Sequence, residues 1–276
     1  MDPYRFDAKG DCQSAYDYIR ATLATQGFAI VSGISTELSV LQPLFSRFGE
    51  VLERRFKDIN LSGPQYFGDV RYRNDISSEE RKSTQGDEAL EFHTAHAFEA
   101  SRPRFFAMAM INEGWRGEHD DCLGETKLLS FDNIAAHILS EQDGQAGQSS
   151  IEALSTTSVS FAPPYIRPPL SDLPLLELRN GTYYGRCWEK FRESIPGIKT
   201  LRGDDRFPSA AGCFATALET TKSFLQFPLH SGEILAIDNW RFAHGRTAFN
   251  GSRFVAGIQQ TNPRQIRSIH VVCQSF

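Results

Sequence analysis

Clustered positive charge and long apolar runs are both missing from this 276-residue chain. Its 29 Lys and Arg are dispersed and outnumbered by 34 Asp and Glu, for a net charge of −5. That leaves no electrostatic footprint for nucleic acid or anionic lipid, and the expected partner is a small molecule. No apolar run approaches the roughly 20 residues needed to span a bilayer, so no membrane association is expected. The opening Met1-Asp2-Pro3-Tyr4-Arg5-Phe6-Asp7 lacks the basic-then-apolar order of a secretory signal, and the expected location is cytoplasmic. Cysteine is scarce: five residues, odd in number and without CxxC spacing, argue against a disulfide framework and against a zinc or iron–sulfur site. What remains is 40% hydrophobic, 12% aromatic and 23% charged, the composition of one soluble globular domain, taken here as 1–276.

Residues 12–25 place Ala15, Tyr18, Ile19 and Leu23 at helical spacing, and Gln26-Gly27 leads into the apolar strand Phe28-Ala29-Ile30-Val31. Ser35 or Thr36 is expected to cap a second helix carrying Leu38, Leu41, Leu44 and Phe45, kinked at Pro43 and stopped by Gly49. The polar run 74–88 reads as a solvated loop or a lid, and the Gly, Gln and Ser-rich 143–150 and the prolines at 163, 164, 168, 169 and 174 read as surface crossings. A helix is compatible with 209–227, and short strands are expected at 233–238, 253–259 and 268–273. Many short strands with a few helices, mostly N-terminal, fit a mainly β double-sheet jelly roll with flanking helices better than a βαβ repeat.

The chemistry centres on His93-Thr94-Ala95 and, 149 residues after Ala95, His244. Non-haem Fe(II) oxygenases hold iron with two imidazoles and one carboxylate on one face, usually as His-x-Asp/Glu and a distant His, leaving three positions for cosubstrate and O2. On a strand, residues 93 and 95 point the same way, so they would face a metal held opposite by His244. Residue 95 is alanine, which cannot ligate.

Four stretches carry a resemblance: Glu91 to Phe98 followed by Arg102-Pro103; Leu123-Gly124-Glu125-Thr126; Leu229 to Arg241; and Phe242 to Phe249 with Arg253 to Gly257. In order, they resemble the clavaminate synthase-like and γ-butyrobetaine hydroxylase-like, TauD-type Fe(II)/2-oxoglutarate oxygenases. The resemblance implies a double-stranded β-helix of cupin-like type, His93 and His244 as metal ligands, Thr126 as a hydrogen-bonding partner of 2-oxoglutarate, and Arg253 as the partner of its distal carboxylate. A guanidinium suits that last role, since it grips a carboxylate through two parallel bonds. Asp238 and Asn239 are expected to brace the turn before His244 rather than to ligate.

The family's carboxylate falls on Ala95, the first glycine of its Gly-Gly-x-Thr falls on Leu123, and only nine residues separate His244 from Arg253. Loss of the carboxylate opens a coordination position and removes one negative charge beside Fe(II), which favours a small anion, with chloride the obvious candidate. The same loss marks the iron/2-oxoglutarate halogenases. The resemblance therefore implies chlorination of an unactivated C–H through a ferryl made from O2 and 2-oxoglutarate, on a small polar, amino acid-like metabolite. Two alternatives stay open: a hydroxylase or desaturase in which His96, Glu91 or Glu99 replaces the ligand, and a non-catalytic binding protein of the same fold. Arg186, Trp188 and Arg192 are further candidates for the substrate mouth.

Overall fold

The computed structural model describes residues 4–51, 67–72, 77, 85–98, 102–115, 124–161, 170–202 and 204–273. Most of the 74–88 run, the prolines at 163–169, and Glu99, Glu118 to Asp121, Cys122 and Leu123 lie outside them.

In chain order the elements are β1 (Arg5–Asp7), α1 (Cys12–Thr25), β2 (Phe28–Ser32), α2 (Leu38–Ser46), β3 (Glu50–Val51), β4 (Phe67–Arg71), β5 (Leu90–His93), β6 (Phe105–Asn112) and β7 (Thr126–Ser130). Next come α3 (Phe131–Glu141), α4 (Gly144–Thr156), β8 (Ser158–Phe161), β9 (Leu170–Leu173), β10 (Leu176–Arg179), β11 (Thr182–Gly185), α5 (Phe191–Ser194), β12 (Lys199–Arg202) and α6 (Phe207–Thr220). The chain closes with β13 (Leu225–Phe227), β14 (Ile234–Asp238), β15 (Phe242–Arg246), β16 (Ser252–Val255), β17 (Ile258–Thr261) and β18 (Gln265–Val272).

Two sheets position the site. The larger has seven strands in the order β1-β2-β14-β6-β18-β3, with β4 also paired to β18; the smaller runs β13-β7-β15-β5. Period-two alternation sends side chains to opposite faces of each strand. On the larger sheet Phe28, Ile30, Phe106, Met110, Leu235, Ile237 and Ile266 point inward and meet Leu128 and Phe242 of the smaller sheet. Their neighbours Ala29, Val31, Phe105, Ala107, Ala236 and Ile269 point outward and pack with Ile19 and Leu23 of α1 and Leu41 and Phe45 of α2. The outer face of the smaller sheet, through Leu129 and Ala243, packs under α3, α4 and α6. The result is a jelly roll with helices on both outer faces, as expected.

α1 spans the residues its periodicity indicates, and its Asp11 side chain accepts from the Gln13 N–H as an N-cap. The second helix begins at Leu38 behind Glu37, which makes no side-chain cap bond, so neither Ser35 nor Thr36 is the cap. Three expectations are corrected. The stretch 209–227 is not helical throughout: α6 ends at Thr220, and Leu225–Phe227 is β13, paired with β7. Residues 144–156 form α4 rather than a surface crossing, because Gly147, Ile151, Ala153 and Leu154 supply a buried stripe; Gly147 sits where an added Cβ would press on the Ile138 carbonyl and Leu139. The helices are therefore not concentrated at the N-terminus. The stretch 253–259 is not one strand but the hairpin β16–β17, turning at Ala256 and Gly257, both at positive φ.

Candidate active site

The smaller sheet brings the two histidines together. β15 pairs antiparallel to β5 with His244 directly opposite His93, and the ring centroids lie 4.3 Å apart. Two imidazoles bonded to one ion at about 2.1 Å in adjacent octahedral positions would have centroids about 4.5 Å apart, so the pair fits a shared metal. Both line a cavity of about 460 Å³ between the sheets. His93 is tied down by its Nδ1, 2.9 Å from the Glu91 carbonyl oxygen, which leaves Nε2 for a metal. His244 is buried, and burial together with the neighbouring His93 holds its pKa well below the usual imidazole value. It is therefore neutral at pH 7, the form a metal needs.

Ala95 also lines the cavity and is buried, but not for the reason its spacing suggests. β5 ends at His93, and Ala95 sits in the following turn. Asn239, fully buried, places it there: the Ala95 N–H donates to Asn239 Oδ1 (2.7 Å), and Asn239 Nδ2 donates to the carbonyls of Ala95 (3.0 Å) and Pro103 (2.9 Å). Thr94 is held from the other side, its N–H donating to the Cys187 carbonyl at 2.9 Å. Asp238 accepts from the Trp240 N–H and pairs with Arg104, so both residues of the Asp238-Asn239 turn serve as braces.

Among the described residues, no group of three or more His, Cys, Asp and Glu is arranged to hold a metal. Glu91 is turned away, accepting from the Lys190 N–H at 2.7 Å. His96 lines the cavity against His270, with ring centroids 4.7 Å apart, and Glu99 lies outside the described residues. The carboxylate beside the pair is Glu189, which sequence reasoning did not single out; its Oε1 is 3.9 Å from His93 Nδ1 and it lines the same cavity.

Thr126 is where the motif puts it, buried on the cavity wall and opposite Arg246 in the β7–β15 register. Arg253 is not. It lies exposed on the β16–β17 hairpin, over the ring of Trp115 at 4.4 Å, and is not on the cavity wall. The hairpin carries it outward, and two other arginines occupy the cavity instead. Arg264 is buried, its Nη2 donating to the Gly124 carbonyl at 2.8 Å; Arg246 is buried, donating to the carbonyls of Gly86 and Glu88. Both lie on Phe249, and the Nε of each is shut off from solvent with no hydrogen-bond partner among the described residues. Burial lowers Arg246 to about 9, with repulsion from Arg264 adding to it, and burial lowers Arg264 to about 10, so both stay charged at neutral pH. A buried guanidinium with an unspent donor fits a carboxylate guest. The sequence held one signal for Arg264: it continues the alternate positions Ile266, Ser268 and His270 of β18, which line the cavity with it, and lies immediately before that strand. Of the other candidates, Trp188 lines the cavity, Arg186 donates to the Ala97 carbonyl, and Arg192 pairs with Glu219 on the surface.

Comparison with solved structures gives the same fold. An asparagine oxygenase in complex with Fe(II), 3-hydroxyasparagine and succinate superposes with a TM-score of 0.65 at 16% identity, over 94% of this chain and 79% of that one. The non-haem iron oxygenase OrfP in complex with iron and α-ketoglutaric acid gives 0.62 at 15%, over 94% and 80%. PvcB from Pseudomonas aeruginosa gives 0.59 at 15%, over 93% and 79%. No curated protein sequence matches significantly. The family model for the taurine catabolism dioxygenase TauD, TfdA family matches residues 6–259, a span holding both histidines, Thr126, all of the smaller sheet and the larger sheet except β18 and the first residue of β1. A jelly roll with paired imidazoles in its mouth and that match together place this chain in the TauD/TfdA family of non-haem Fe(II)/2-oxoglutarate-dependent oxygenases.

Proposed function

We propose that this protein is an Fe(II)/2-oxoglutarate-dependent halogenase that chlorinates an unactivated C–H bond of a small polar, amino acid-like metabolite. The observation that carries the reading is Ala95: it lines the cavity beside His93 and His244, where the resemblance implies a carboxylate. His93 and His244 would hold the iron, and Arg264 and Arg246, with Thr126, would hold the carboxylate of 2-oxoglutarate that lies away from the metal. The metal, charged with 2-oxoglutarate and O2, supplies the oxidant for removing hydrogen from carbon. In the balance, R–H, chloride, a proton, O2 and 2-oxoglutarate give R–Cl, succinate, CO2 and water.

The chain's own residues set the rest. Ala95 leaves room for the halide and removes a negative charge that would repel it. Asn239 already occupies the Ala95 N–H, so the halide takes no hydrogen bond from that amide. Phe98, Phe106, Met108 and Ile266 line the cavity with apolar surface, which shields a reactive carbon from water.

Glu189 supports a second reading, a hydroxylase or desaturase whose third ligand is this carboxylate swung in from beside His93. Anaerobic absorption titration with Fe(II) and 2-oxoglutarate, with and without chloride, separates the two. A charge-transfer band that shifts or tightens with chloride is the expected result. A chloride-blind band that moves in Glu189→Gln supports the second reading, and no band at all removes the iron site.

A further inference from the structure

We propose that Phe106 is a positioning residue of the metal site: its ring, itself stacked on His270, fixes the orientation of His244, whose Nδ1 has no hydrogen-bond partner among the described residues. The inference rests on the reading of His93 and His244 as metal ligands.

A histidine that binds a metal usually has its second nitrogen tied by a hydrogen bond, because rotation about the bond to the ring is soft and must be stopped by something. His93 has that tie, through Nδ1 and the Glu91 carbonyl. His244 does not; its Nδ1 is shut off from solvent with no hydrogen-bond partner among the described residues. Its ring instead lies on that of Phe106, with centroids 4.7 Å apart and planes 27° from parallel. Phe106 also stacks on His270, with centroids 4.9 Å apart and planes 17° from parallel. His270 in turn meets His96 edge-on at 4.7 Å.

The backbone makes this column stiff. Phe106 is on β6, between β14 and β18, and stands directly opposite Ile237 on one side and His270 on the other. A strand bonded along both edges cannot slide without breaking two ladders. His244 belongs to the other sheet, so a ring from the larger sheet sets the aim of a ligand on the smaller one. Buried flat stacking restrains tilt much as a hydrogen bond would, at no cost of a buried polar acceptor.

Cobalt(II) is the probe, because its visible bands report ligand number and geometry. In metal-free protein, Phe106→Leu should weaken cobalt binding about 10–100-fold, the usual effect of losing a ligand's support, and change the band. Phe106→Tyr, which keeps the ring, should restore both. His270→Leu removes the brace without touching His244 and should give a smaller change in the same direction; it decides the matter if Phe106→Leu does not fold. Wild-type affinity and band in the leucine variants, even with a lowered unfolding temperature, would reduce Phe106 to packing and overturn the proposal while leaving the metal site intact. A wild-type protein that takes up no cobalt, or takes it up equally as His93→Ala, overturns both.

Discussion

Asn239 holds both backbone polar groups of Ala95, accepting from its N–H and donating to its carbonyl, although 144 residues separate them. Removing the amide in Asn239→Ala strands the Ala95 N–H and weakens two buried carbonyls, which should cost about 3 kcal/mol. Thermal or urea unfolding of the metal-free protein measures it. A loss under about 1 kcal/mol would mean that the turn is held by its other contacts.

Ala95→Asp supplies the absent carboxylate. Without metal it places an acid in a buried, largely apolar site, and the unfolding temperature should fall; added Fe(II) should recover part of it, since a ligand that binds only the folded state stabilises it. Chloride should no longer affect the Fe(II)/2-oxoglutarate absorption band. A variant as chloride-sensitive as the wild type would show that the halide does not sit at residue 95.

The two candidate arginines separate cleanly. Arg264→Gln should weaken 2-oxoglutarate binding about 10–100-fold, the size of one buried charge-assisted carboxylate contact. Arg253→Gln, on the exposed hairpin, should stay within about twofold. Titration calorimetry with Mn(II) in place of iron reads both, and the opposite ranking would restore the motif-based assignment.

Thiol alkylation tests the burial pattern through pH. Burial raises the Cys187 thiol far above its ordinary range, and raises Cys273 to about 11. A raised pKa keeps the thiol protonated at pH 8, so both should react slowly there. Cys273 should speed up about tenfold per pH unit toward 11, whereas Cys187 should stay unmodified until the protein unfolds. Exposed Cys12 should label first. Mass spectrometry of iodoacetamide-treated native protein gives the order, and early labelling of Cys187 would contradict its place in the core.

Gly185 packs so closely on Phe131 that an added Cβ would collide with the ring. Gly185→Ala should cost about 1–3 kcal/mol, the usual price of overpacking, read as a lower unfolding temperature.

By itself the sequence determined the mainly β architecture and α1, and singled out His93, His244, Thr126 and Ala95 as candidates, because alternation, periodicity and motif order can be read in one pass along the chain. Tertiary structure decided what depends on distance in space. Nine residues from His244 lead to Arg253 on the exposed first strand of a hairpin, off the cavity wall, while twenty residues bring Arg264 onto that wall, since β18 returns antiparallel beside β6. Asn239 reaching Ala95, Glu189 reaching His93 and Phe106 stacking on His244 likewise join residues far apart in the chain. Sequence spacing measures contour length, and only the pairing of strands and the packing of two sheets convert it into contact.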